Sequence, residues 1–246
     1  MVDRGGRHLI LTSRSGVTTG YQSLCLRKWV EMGVTVETPQ IDLVSRENAE
    51  KFIMAQVPKK RRGIGRIFNS ALVLRDEAFS KQTFQAFRDV RAPKTKVIEH
   101  LDELTRKYCP DLEFFVVFSS SACGRGNSGQ TNYGWANSVM ERICGKRVAD
   151  GLHGLAIQWD VLGQVAEKLR LDLDTDSELA GTLPQNVDSC LQVLDMALQK
   201  NQAMVVSSIV AATKGQKTSE RGGVHHMSKV FGELRESEVF CSQRRN

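Results

Sequence analysis

The sequence lacks any apolar run near the ~18 residues that a membrane-spanning helix needs. It has no C-x-x-C pair: Cys25, Cys109, Cys123, Cys144, Cys190 and Cys241 are scattered, as reduced thiols of a cytoplasmic protein would be. The only close histidine pair is His225–His226, which gives metal chemistry little to work with, so no metal is expected. The opening MVDRGGRHLILTSRSG places Asp3, Arg4 and Arg7 around a short apolar run, too short and too charged for a signal peptide. No internal repeat is visible. What remains is a 246-residue chain with 41% hydrophobic and 25% charged residues, a globular balance that excludes global disorder and collagen-like or mucin-like repeats.

The net charge of +6 is a mild excess, spread over 34 basic and 28 acidic residues. Its one dense run, Lys59-Lys60-Arg61-Arg62, reads either as a nucleic-acid or nuclear-localisation patch or as a solvated loop between a helix and a strand. The loop is favoured, because no aromatic residues interleave to stack on bases. A mildly basic cleft also suits a phosphate-bearing nucleotide cofactor.

Apolar bursts alternate with amphipathic stretches along the chain. Strands are expected at 8–12, 34–37, 66–69, 114–118, 155–159 and 204–210. Helices are expected at 21–32, with Leu24, Leu26, Trp29 and Val30 to one side, and at 46–56, 130–150 and 187–198. Another helical stretch, 79–104, should break near Pro93, whose preceding residue is biased away from the α region. This alternation predicts an α/β fold with a doubly wound, Rossmann-like parallel sheet over residues 1–212, with ligands bound beyond the C-terminal strand ends. Residues 213–246 read as a polar linker and tail with a weak helical signal at 230–234.

A literal G-x-G-x-x-G occurs at Gly124–Gly129, between a strand and a helix. It makes a poor dinucleotide fingerprint. The turn is too long, and the next strand does not end in an acid about 20 residues on, where the ribose contact belongs. The longer string FSSSACGRGNSGQTNYGWAN is more informative. Ser120 ends a strand, Tyr133 opens the next helix, and Asn137 follows one turn later on the same helix face. Alone, each residue reads as a capping serine or a packing tyrosine; together they point to one small-substrate site.

That string resembles the active-site segment of the short-chain dehydrogenase/reductase superfamily. It is most similar to the β-ketoacyl reductase domain of animal-type fatty acid synthase, with polyketide synthase ketoreductases next. LILTSRSG with TGYQ, FNSALVLRD, APK, FFVVFSS to MERIC, LAIQW and GTLPQ carry the likeness from about Gly5 to Val210. It implies NADPH-dependent reduction of a β-ketoacyl thioester in the cytoplasm, with an acyl carrier protein and other synthase domains as partners. Ser120, Tyr133, Lys94 and Asn137 are the implied catalytic group, with Lys96 a nearby competitor for the lysine's role. Tyr133 would protonate the carbonyl oxygen, Ser120 would donate a hydrogen bond to it, and Lys94 as ammonium would lower the phenol's pKa. Asn137 would hold a relaying water. On the cofactor side, Arg14 with Ser13 and Ser15 would accept a 2′-phosphate, Asp42 the adenine, and Asn69 and Ala71 a close backbone approach. Asp76 would line the substrate side.

The sequence departs from that family at several points. Asp160 and Ala166 stand where the family usually has Gly, and no carrier-protein motif follows the linker. The family's first strand and T-G-G-x-G-G turn are not found, which predicts a gap between the strands that would flank them. The isolated chain is therefore expected to be poorly active. Polyketide ketoreduction, a catalytically dead Rossmann-like structural domain and a nucleic-acid-binding fold are the alternative readings.

Overall fold

The computed structural model describes residues 1–57, 63–162, 182–200, 202–210 and 238–241. Parallel strands alternate with helices. Strand β1 (His8–Ile10) is followed by α1 (Gly20–Glu31), β2 (Thr35–Glu37), α2 (Arg46–Gln56) and β3 (Arg66–Asn69). Helices α3 (Phe84–Arg91) and α4 (Val97–Tyr108) precede β4 (Phe114–Ser120), α5 (Thr131–Ala149) and β5 (Leu155–Trp159). Then come β6 (Thr182–Leu183), α6 (Val187–Leu198), β7 (Met204–Val210) and β8 (Glu238–Cys241). The basic run at 59–62, Ala166 and the helical signal at 230–234 lie outside the described residues.

Period-two alternation explains the layers. On β4, Phe115 and Val117 face a core shared with Ile53 of α2, Ile98 and Leu104 of α4, and Met140 and Cys144 of α5. Val116 faces the opposite way, onto a second core with Ile157 and Trp159 of β5 and Cys190, Val193 and Ala197 of α6. A sheet buried on both faces reads as near-continuous apolar strands, and Leu155–Trp159 is buried at every position. The parallel order β3-β4-β5-β7 matches the Rossmann-like expectation, with β6 antiparallel on β7. β8 also pairs with β7, Val205–Ser208 against Glu238–Cys241. The stretch expected to be linker and tail thus supplies a strand, and its EVFC sequence is the kind of run that pairs.

Strands β1 and β2 form a separate parallel pair. Between β1 and β3 lies a slot of about 820 Å³, walled by His8 and Ile10 on one side and Arg66–Asn69 on the other. This is the gap expected from sequence. Gln56, at 4% exposure, lines it with its carbonyl oxygen buried and unpartnered. No residue of helix α1 is buried, and Leu24 and Val30 are 40% and 60% exposed.

Pro93 does not break the helical stretch. Ala92 stays in the right-handed α region, and a π-helical turn at Ala92–Lys96 joins α3 to α4. Proline has no N–H to lose, and the wider turn absorbs its ring. Cys25, Cys109, Cys123, Cys144 and Cys190 are free thiols. No cluster of metal-ligating side chains occurs among the described residues, and none of their helices is long and apolar enough to cross a membrane.

Candidate active site

The π turn swings Lys94 inward to 2% exposure, while Lys96, its competitor in sequence, stays outside, 2.9 Å from Glu99. Lys94 Nζ donates to the Asn137 carbonyl oxygen at 2.9 Å and to the Phe118 C=O at 3.1 Å, and lies 4.9 Å from the centre of the Tyr133 ring. Thr95 fastens the turn to α5 through the Ala136 carbonyl. Ser120 ends β4, and its hydroxyl oxygen accepts the Ala122 N–H at 3.2 Å, so its own proton is left to donate. Tyr133 lies in the first turn of α5, buried against Val90 and Ala136. All four sequence-chosen residues therefore meet at the C-terminal end of β4.

Electrostatics sharpen this arrangement. Burial, the largest influence, pushes the Tyr133 phenol above its usual range, while the neighbouring Asn137 and Ser120 side chains pull it back and Asp76 adds to the rise. Burial also drags Lys94 down to about 8, near enough to neutrality to hold or release a proton. The direct lowering of the phenol expected from Lys94 gives way to a different geometry, because its hydrogen bonds go to Asn137 and Phe118. The side-chain N–H of Asn137 is buried, makes no close hydrogen bond and faces the Tyr133 phenol, a donor at the centre of the group.

A second cleft, of about 650 Å³, opens beside this group and brings together Ser13, Arg14, Asp42, Asn69 and Ala71. Arg14 has no ion-pair partner among the described residues. The Asn69 side chain accepts the Ala71 N–H at 3.1 Å, and Asp42 caps a turn at Val44. Ser15 is not among the lining residues, and its carbonyl accepts from Gln40 instead. Asp76 sits on the other side, 2.7 Å from Gln130 just ahead of α5. Gln85 and Arg88 also line the cleft and were not singled out from sequence. Their one signal was i,i+3 spacing on the helix that leads to Lys94.

The Gly124–Gly129 run proves to be a turn. Gly126 and Gly129 adopt φ of 79° and 77°, and Asn127 C=O accepts the Gln130 N–H before α5 begins. Its glycines shape the loop that carries Tyr133 toward Ser120.

The KR domain family model matches residues 1–164. Polyketide synthase GfsA of Streptomyces halstedii is 30% identical over 89% of this chain, which spans 3% of that protein's length. Highly reducing polyketide synthase 40 of Fusarium mangiferae is 30% identical over 82% of the chain, which spans 8% of its length. The chain thus corresponds to a small part of these relatives. Among solved structures, A-type ketoreductases from a modular polyketide synthase superpose with a TM-score of 0.71 at 26% identity, covering 82% of this chain and 41% of that one. The first ketoreductase of the tylosin polyketide synthase gives a TM-score of 0.68 at 24% identity, covering 83% and 43%. The finer likeness to animal-type fatty acid synthase read from sequence finds no support in these relatives.

Proposed function

Given that this chain belongs to the KR domain family, whose members are oxidoreductases of the short-chain dehydrogenase/reductase superfamily, we propose that it reduces a β-ketoacyl thioester, presented by an acyl carrier within a multidomain synthase, to the β-hydroxyacyl form. The observation that carries this is the convergence of Ser120, Tyr133, Lys94 and Asn137 on one buried point beside a cleft holding Arg14, which has no ion-pair partner among the described residues. A cytoplasmic setting goes with such a synthase.

The cofactor assigned is NADPH. The residues present fit it: Arg14 offers a guanidinium for a 2′-phosphate, Asp42 an acceptor for an adenine, and the Asn69–Ala71 turn a backbone surface. When bound, it supplies the hydride. The protein's own residues manage the oxygen. Ser120 donates its hydroxyl proton to the substrate carbonyl, stabilising the charge that grows there. The buried Tyr133, held protonated at neutral pH, gives its proton to that oxygen as the alcohol forms. Lys94 and the side-chain N–H of Asn137 then hold a water that returns the proton to the phenolate.

The curated relatives favour a polyketide-type synthase as the host. A fatty acid synthase is the second reading, favoured by the string from Phe114 to Cys144 and by GTLPQ at Gly181–Gln185. The test is NADPH oxidation with an acetoacetyl thioester, using this sequence extended by a strand and Gly-rich turn that fill the β1–β3 slot. Turnover that Tyr133→Phe removes supports the reading; wild-type turnover in that variant contradicts it.

A further inference from the structure

Two carboxylates that the proposed chemistry does not use converge on the segment around Ser120. Glu141 lies on α5, one turn beyond Asn137, and accepts from Ser119 Oγ, from Gln158 Nε2 at 2.9 Å and from Cys123 Sγ at 3.3 Å. Asp160 follows the last residue of β5 at 8% exposure. It accepts from Ser121 Oγ at 3.1 Å and from its own neighbour's N–H, Val161, at 3.0 Å, and it pairs with Arg125 at 3.1 Å. The pattern alternates along the chain. Ser119 and Cys123 go to Glu141, while Ser121 and Arg125 go to Asp160.

Ser119 lies in β4 and residues 121–125 in the turn that follows it, so a carboxylate from α5 and one just beyond β5 hold alternate odd-numbered residues of the same strand-to-turn segment. Ser120 sits between the grips, with no carboxylate on it and its hydroxyl beside the Tyr133 phenol. We propose that Glu141 and Asp160 are positioning residues: together they fix the 119–125 segment so that the Ser120 hydroxyl stays beside the Tyr133 phenol. This rests on the active-site reading above. It also gives Asp160 a role at a position where sequence similarity led one to expect glycine. The Cys123 thiol, pushed up to about 12 by burial and by Glu141, serves here as a hydrogen-bond donor.

The test follows the Tyr133 phenol directly, by ¹³Cζ-tyrosine NMR titration of the 246-residue chain. Tyr21 and Tyr108, assigned by Tyr→Phe variants, serve as internal references. Ser120→Ala should raise the Tyr133 midpoint by about 0.4–1.1 pH units, the size of one lost hydrogen bond. Glu141→Ala and Asp160→Ala should each raise it in the same direction, and neither should add to the shift once Ser120 is alanine. A mere loss of the Glu141 charge would move the midpoint the opposite way. Glu141→Gln and Asp160→Asn, near-isosteric, guard against loss of the fold and should give smaller rises. Glu141→Gln should also speed alkylation of Cys123 relative to Cys144 at pH 8. If Ser120→Ala does not move Tyr133, the active-site reading fails. If Ser120→Ala moves it and the carboxylate variants do not, the positioning proposal alone is overturned. Loss of fold in even the amide variants would assign the carboxylates a structural role and overturn it too.

Discussion

Strands β1 and β5 begin from similar apolar runs and reach different ends. HLI at His8–Ile10 buries no residue, whereas LAIQW at Leu155–Trp159 buries every one. The difference lies in their neighbours. β5 has β4 on one side, β7 on the other, and helices over both faces. β1 has β2 on one side and the open slot on the other. An apolar run is buried only when both lateral neighbours and both faces are supplied. The proposed site inherits this division: its acid–base group stands on the closed region, and Arg14 and Asp42 of its cofactor cleft stand on the open one.

The largest effect expected tests the closed region. Tyr133→Phe should lower thioester reduction by about 10²–10⁴-fold, the usual worth of a general acid, with the fold unchanged by circular dichroism. Retained turnover would move the proton donor elsewhere. Next comes packing. Ile157→Ala, at a fully buried position, should destabilise by about 2–5 kcal/mol in urea unfolding. Leu24→Ala, on the 40%-exposed face of α1, should stay within about 0.5 kcal/mol. Equal losses would erase the contrast between the regions.

Arg14→Asp addresses the open region. Removing a charge-assisted contact worth about 1.5–3 kcal/mol should shift the NADPH-to-NADH ratio of kcat/KM by about tenfold or more. An unchanged ratio would remove Arg14 from cofactor selection.

The smallest effect concerns Lys94, whose folded value of about 8 lies below its ordinary 10.5. Below pH 8 the lysine is charged in both states, and folding carries the full penalty of burying it. Between pH 8 and 10.5 the folded chain releases the proton while the unfolded chain keeps it, so this group adds stability as pH rises. Cys123, Cys144 and Cys190, held at about 12, act oppositely above pH 9, because only the unfolded thiols ionise there. Comparison with Lys94→Met isolates the lysine. The wild type should gain about 1.5 kcal/mol relative to that variant between pH 8 and 9.5. A constant difference would mean that Lys94 is solvated.

Much of the closed region was legible in the sequence, since β3, β5, β7, α2 and α6 begin and end where periodicity placed them. Ser120, Tyr133 and Asn137 were legible because strand end and helix start are adjacent in sequence. What sequence hid was long-range. The π turn at Pro93 keeps a helical path that local propensity disfavours, stabilised by Thr95 against α5 and by Lys94 against Asn137. The apolar stripe of α1 was read as a pattern, and none of it is fully buried, because periodicity reports a face and says nothing of what covers it. The partners of Asp160, at Ser121 and Arg125, lie too far along the chain for spacing to reveal.

The division of the site is tested most directly by calorimetric titration of the 246-residue chain with NADPH. With the slot between β1 and β3 open, unpaired strand edges and the orphaned Gln56 oxygen leave the cofactor side without a wall. Weak binding is expected for the chain alone, with micromolar binding restored when an added N-terminal strand fills the slot. Micromolar binding by the chain alone, with ordinary turnover of a ketoacyl thioester, would contradict it.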